Sequence, residues 1–450
     1  MNHFLLPLLL LSSIVFSQTP QSTDTRIYDI IESVSADRIE KDIRKLVSFG
    51  TRHTLSDTVS ETRGIGAARR WIKSEFDNIS SDCGDCLEVK FHKGLIEAGE
   101  SRRIPTDTWI VNVMAIKKGT KFPNRYIIMS GDIDSRVSDQ LDHTSDNPGA
   151  NDNASGMAGV LEASRVLSNY DFESSIIFLG LSGEEQGLFG GKLLAQDMID
   201  WGWDVIGIIN NDMIGNIRGI DGVVDNSSFR VFSEPSPPKP TEQQLIWNRF
   251  YGGEVDGPSR QLARYVDRMT TKYMTDIQAK MIYRLDRFGR GGHHRPFNDV
   301  GIPGVRIMET HEDYNRQHQD LRTEDGVEYG DVIERINFDY ARKLTAVNAI
   351  SLAAIAWSPP PPSTLMIGGA VQPSTKLRWD KAEVSNLAGY KVYWRDTTSP
   401  QWEYSKWVGD VTETTLKNIV IDNFLFGVAS VSKDGHESIV AYPTTLIPRR

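Results

Sequence analysis

Ser174-Ser-Ile-Ile-Phe-Leu-Gly-Leu181, followed at once by Ser182-Gly-Glu184-Glu185-Gln-Gly-Leu188, decides the fold. Eight residues with no charge and no Pro, built on Ile, Phe and Leu, read as a short strand buried on both faces. Two adjacent carboxylates at its end read as chemistry, because open α/β sheets carry ligands just beyond the carboxyl ends of their strands.

Working outward, the same arrangement recurs. Trp109–Ile116, Arg125–Ser130, Val205–Asn210 and Ile302–Met308 are strand-like. Ala154–Leu167, with Ser155 as an early cap, and Ser259–Tyr273 carry helical apolar spacing, as does Val332–Trp357. Strands alternating with helices predict an α/β fold with a mostly parallel, mixed central sheet sandwiched by helices.

Polar clusters follow the strands. Asp132-Ile-Asp134 ends one, and Pro148-Gly-Ala-Asn-Asp152-Asn-Ala-Ser-Gly156 opens a helix. Asn210-Asn-Asp212 ends another, and Glu309-Thr-His311-Glu-Asp-Tyr314-Asn-Arg-Gln-His318 follows the last. Five carboxylates (Asp132, Asp152, Glu184, Glu185, Asp212) gathered at one sheet edge repel each other unless protons or cations compensate them. Carboxylates with an imidazole and no thiolate suit zinc or a related divalent ion. The bland alternative is a set of solvated loop acids.

PGANDNASG, SGEEQGLFG, NNDMIG and the late His after Asp-Tyr-Asn resemble the co-catalytic zinc aminopeptidases of metallopeptidase family 28. Gly50-Thr-Arg-His53 is similar to that family's N-terminal segment, and the likeness runs from about residue 40 to 357. The resemblance implies a peptide substrate and two zinc ions bridged by Asp152. Glu185 and His318 complete one site and Asp212 belongs to the other, with Glu184 as general base. Two departures stand out. The family usually has His-x-Asp where this chain reads Asp132-Ile-Asp134, so the first site becomes Asp132, Asp152 and Asp212, with Asp134 supporting it from behind. All-oxygen donors weaken that site or shift it towards Mn, Mg or Ca. The family also more often carries an Asp before the equivalent of His294, in Gly291-Gly-His293-His294. His294 is expected either to meet the substrate or oxyanion or to be half of a surface pair; Tyr314 is a candidate pocket residue, and His311 a lining one.

The family also holds glutaminyl cyclases, so cyclisation of N-terminal Gln through one zinc on Asp152, Glu185 and His318 is the alternative activity. A non-catalytic surface binding protein is the alternative from another class.

The ends frame this domain. Residues 1–17 (MNHFLLPLLLLSSIVFS) read as a signal peptide, against a buried helix, and predict a secreted, periplasmic or cell-surface protein. No later run is long enough to span a membrane. In an oxidising compartment Cys83 and Cys86 are expected to form a local disulfide, a redox pair or half a zinc site being the alternatives. Residues 18–357 are assigned to the catalytic domain and 358–363, a run of Pro, to a stiff spacer. Residues 364–450 carry alternating β-rich runs whose Trp379, Tyr390-x-Val-Tyr393 and Phe426-x-Val pattern resembles a fibronectin type III module. Its aromatics read as sandwich core, with an exposed subset able to take polysaccharide or a protein partner.

The 450 residues carry 50 Lys and Arg against 60 Asp and Glu. An acidic surplus argues against nucleic acid and against anionic lipid. That surplus lies in residues 18–357, where the proposed site carboxylates account for five charges.

Overall fold

The computed structural model describes residues 23–448. Eight strands form one mixed sheet: β1 (Leu87–Ile96), β2 (Thr108–Lys117), β3 (Phe122–Asp132), β4 (Ser174–Leu181), β5 (Asp204–Asn211), β6 (Ser228–Ser233), β7 (Gln278–Ile282) and β8 (Gly304–Glu309). Their order is β1-β2-β4-β3-β5-β8-β6-β7. The centre, β4-β3-β5-β8, is parallel, as the unbroken apolar runs require. The outer pairs β1/β2, β2/β4 and β8/β6 are antiparallel.

Among the described residues the helices that accompany the strands are α1 (Thr25–Ser33), α2 (Ala36–Val47), α3 (Gly64–Asp82), α4 (Gly156–Leu167), α5 (Phe189–Asp200), α6 (Glu242–Tyr251), α7 (Pro258–Tyr273), α8 (His294–Asp299) and α9 (Phe338–Trp357). Side chains alternate across a strand, and both faces of the centre are apolar. Ile127, Met129, Ile176 and Phe178 face the layer containing α2, α3, α4 and α9. Tyr126, Ile128, Ile177 and Leu179 face α5 and α8. Ser155 does not cap α4 with its side chain; its hydroxyl donates to the Asn151 carbonyl at 2.7 Å instead.

Register aligns the strand ends that matter. Asp132 pairs with Leu181, and Gly131 with Asn211. Asp132, the Glu184-Glu185 turn and Asp212 therefore emerge along one edge. The late loop that bears His318 also carries a small hairpin, β9 (Arg322–Glu324) with β10 (Val327–Tyr329).

The C-terminal residues form separate β sheets. β11 (Ser363–Gly368), β12 (Thr375–Asp380), β15 (Glu413–Leu416) and β17 (Thr445–Leu446) make one. β13 (Leu387–Asp396), β14 (Tyr404–Gly409) and β16 (Phe424–Ser432) make the other. Trp379, Tyr390, Val392 and Phe426 fill the space between, and Tyr393 is buried too. Trp394, Trp402 and Trp407 are half-buried. The Pro-rich run at 358–363 is packed over part of its length. Ser358, Pro359 and Pro362 are buried, and the sandwich sits directly on the α/β layers. The Asp256 carboxylate joins them, accepting from Arg264 at 2.6 Å and from Arg395 at 2.9 and 3.0 Å.

Cys83 and Cys86 are bonded to each other, three residues apart, at the end of α3. So short a loop removes little entropy from the unfolded chain, on the order of 2 kcal/mol. Replacing both by Ser is expected to lower unfolding free energy by no more than about that amount, measured by denaturant titration. Residues 1–17, read from the sequence as a signal peptide, lie outside the described residues. Among the described residues no helix is long and apolar enough to cross a membrane.

Candidate metal centre

The Glu184-Glu185 turn is built by backbone geometry and one buried acid. Gly183 has a φ of +76°, a left-handed conformation that a side chain would strain. Asp134 then receives the Glu184 N–H at 3.2 Å and the Glu185 N–H at 3.1 Å, and the Thr54 hydroxyl at 2.8 Å. Asp134 thus orients the two glutamates.

Asp152 sits in the irregular turn of residues 150–155 that leads into α4. Asp331 grips that turn by accepting the Asn151 N–H at 2.9 Å and the Asp152 N–H at 2.7 Å. Arg52, fully buried, ties the neighbouring backbone together through the carbonyls of Ile133, Pro148 and Gly149 at 2.9, 2.6 and 2.8 Å. His318 completes the constellation from the loop after β8. Its Nε2 lies 3.0 Å from Asp152 Oδ2 and 2.9 Å from Glu185 Oε1.

One donor atom from each of Asp152, Glu185 and His318 lies within 4.8 Å of the others, and among the described residues no other trio does so. Two carboxylates and an imidazole are a donor set that zinc accepts, with room left for a water or substrate. Electrostatics agree. Burial opposes charge on both carboxylates, but His318 holds Asp152 and Glu185 below the usual range. In return, although burial opposes it, Glu185 and Asp152 raise His318 to about 9. The trio therefore keeps a proton in place of a cation, and a divalent ion binding there releases it.

Glu184 stands beside this trio with a different character. Burial pushes its carboxyl well above the ordinary range, and Glu185, Asp212, Asp132 and Asp152 add to the rise. Asp132 and Asp212 do not join the trio. Asp132 is paired with His293 and Asn153, and Asp212 faces Arg306. Burial pushes Asp212 up to about 8 against the pull of Arg306.

His294 is not a surface residue. It is fully buried, with Nε2 on the Leu285 carbonyl at 2.8 Å. Its position at the start of α8, beneath the Gly292 backbone, accounts for the correction. Tyr314 is 57% exposed on the loop leading to His318 and makes no hydrogen bond or ring contact among the described residues. His311 is half-buried beside Asp221, at 3.5 Å.

Four residues that sequence reasoning passed over shape the centre. Arg136 donates to Glu185 Oε2 at 2.7 Å and places Nη2 2.6 Å from His318 Nδ1. Arg306, His293 and Asp331 are the others. A lone Arg inside Gly304-Val-Arg306-Ile-Met was a signal, since a charge within a buried strand needs a buried partner. Asp331 carried none, lying far along the chain in a polar loop.

A parallel-centred α/β sheet with an oxygen-and-nitrogen donor trio and a spare carboxyl at its strand ends defines a metal-dependent hydrolase. Residues 112–334 match the model of peptidase family M28. A probable zinc metalloprotease of Pyrenophora tritici-repentis is 38% identical over 96% of this chain and 89% of its own. One of Leptosphaeria maculans is 39% identical over 93% of this chain and 97% of its own. The chain belongs to peptidase family M28, which makes it a metallopeptidase by family. Among solved structures, the LapA aminopeptidase of Legionella pneumophila superposes with a TM-score of 0.54 at 16% identity, covering 79% of this chain and 80% of its own. A leucine aminopeptidase precursor from Bacteroides thetaiotaomicron gives 0.51 at 16%, covering 71% and 97%. These likenesses show the shared fold.

Proposed function

We propose that this protein is an exported, zinc-dependent exopeptidase that removes N-terminal residues from peptides. The observation that carries the reading is the converging Asp152, Glu185 and His318 trio with Glu184 free beside it. The names of the fungal relatives support zinc, and those of the bacterial structures support aminopeptidase action. The Cys83–Cys86 disulfide and the apolar segment of residues 1–17 support export. The two-layered C-terminal sheets, with Trp379 and Tyr390 between them, support the fibronectin type III reading.

A zinc ion held by the trio supplies Lewis acidity: it lowers the pKa of a water and polarises a carbonyl. Glu184, beside the trio, would serve as the general base that holds a proton at its carboxylate and returns it to the leaving amine. Its raised pKa suits a group that must hold a proton between the two transfers. Asp134 keeps Glu184 and Glu185 turned to their separate tasks through their N–H groups. Asp331 and Arg52 fix the turn that presents Asp152.

One feature favours a second reading, cyclisation of N-terminal Gln: the donor trio is complete for a single ion. Mass spectrometry of peptides incubated with the zinc-loaded protein separates the two. The expected result is stepwise loss of N-terminal residues, abolished by N-terminal acetylation. Loss of ammonia from Gln-peptides without shortening would replace the peptidase reading with the cyclase one.

A further inference from the structure

A two-metal centre needs an open, charge-poor space on each side of a shared carboxylate. Around Asp152 only the side of Glu185 and His318 brings three donor atoms within reach of one ion, among the described residues. On the other side, both carboxylates that the resemblance gives to the first metal are already matched by protein groups.

Asp132 is 2% exposed and both of its oxygens are engaged. Oδ1 accepts from His293 Nδ1 at 2.5 Å, and Oδ2 accepts from the Asn153 side-chain amide at 2.7 Å. His293 has no exposed surface. The two positions where the sequence departs from the family's pattern, Asp132 and His293, therefore meet as one buried pair. Asp212 faces a second cation. Its Oδ2 lies 2.9 Å from Arg306 Nη2, an ion contact, while Arg306 Nη1 donates to both oxygens of Asp286 at 2.9 and 3.1 Å. Arg306 is also without exposed surface.

We propose that this chain holds a single divalent ion, at Asp152, Glu185 and His318, and that Arg306 and His293 stand where a first metal would be. A guanidinium keeps its charge at any pH a protein survives, so Arg306 is a permanent positive charge between Asp212 and Asp286. Admitting an ion to Asp212 means displacing a buried Arg and taking from Asp286 its two guanidinium hydrogen bonds, a loss of pairing that buried charge tolerates poorly. Nor is Asp132 free to turn, because His293 and Asn153 hold an oxygen each. Arg306 is sealed from the cleft, so it acts as a charge-compensating residue and touches no substrate. Among the atoms in this region without a hydrogen-bond partner among the described residues are Asp212 Oδ1 and His293 Nε2, alongside Arg306 Nε and Nη2 and His294 Nδ1. The first two define the rival arrangement, in which a second ion sits there with His293 as its ligand.

The inference rests on the ligand reading under Proposed function, and the test separates the two. The full chain is stripped with chelator, saturated with zinc, freed of excess and analysed for bound metal per chain, with calorimetric titration of the stripped protein in parallel. One tight zinc per chain is expected. His318→Ala is expected to lose it, and Asp212→Asn to keep it with affinity changed less than about tenfold. Two zinc ions per chain overturn the inference while leaving the ligand trio intact, and loss of the second in His293→Asn would establish the rival site. A single zinc that survives His318→Ala but vanishes in Asp212→Asn overturns both the inference and the trio. No bound zinc does the same. The wild-type count stands whether or not any variant folds.

Discussion

Glu184→Gln is expected to lower the rate of peptide hydrolysis by about 10²–10⁴-fold, the usual contribution of a positioned general base, with zinc content unchanged. The amide is close to the carboxylate in shape, so the strand-end turn, held by Asp134 through the Glu184 and Glu185 N–H groups, stays as it is. What is lost is a lone group able to accept a proton. Glu185, one residue on, cannot replace it, because Arg136 and His318 occupy its two oxygens. The loss should fall on kcat rather than KM, since the proton moves in the transition state. Rates from product release, with metal content measured on the same sample, check it. Hydrolysis within about threefold of wild type would remove Glu184 from the reaction.

The second large effect is on stability. Asp256→Ala is expected to cost about 3–5 kcal/mol, as breaking a buried ion pair by removing one partner typically does. Asp256 accepts from Arg264, Arg395 and Gln261, and its side chain and those of both arginines are at most 5% exposed. Without the carboxylate, two guanidiniums remain buried with like charge facing the gap. Arg395 belongs to β13 and Arg264 to α7, so the damage falls where the sandwich meets the α/β layers. Denaturant unfolding followed by tryptophan fluorescence reports it, and an early transition from the sandwich tryptophans is the expected form. Gln401 adds a contact across the same boundary, donating to the Arg264 carbonyl at 3.1 Å, but it is neutral and its removal should matter much less.

The parallel centre of the sheet was legible because burial on both faces leaves an unbroken apolar run, and Ser174–Leu181 is read residue for residue. Strands β6 and β7 escaped notice because polar residues such as Arg230 and Lys280 break their apolar pattern, β7 at the sheet's edge and β6 next to it. The donor trio was legible because each member follows a strand end or opens a helix. Its supports were not. Asp331 is 179 residues from the Asp152 N–H it accepts, and Arg136 is 182 from His318. Such pairings come from the folded topology, which leaves no local spacing to read. The fate of Asp132 and Asp212 was hidden for the same reason. Their partners, His293 and Arg306, arrive from the far half of the chain.

One metal ion, held by Asp152, Glu185 and His318, is proposed to drive hydrolysis at the N-terminus of a peptide. The most direct test is to titrate zinc into chelator-stripped protein while measuring release of the first residue from a peptide with a free N-terminus. No release from the stripped chain, a linear rise with added zinc, and a plateau at one equivalent are expected. Release that persists without metal, or that begins only as a second equivalent is added, would contradict the proposal.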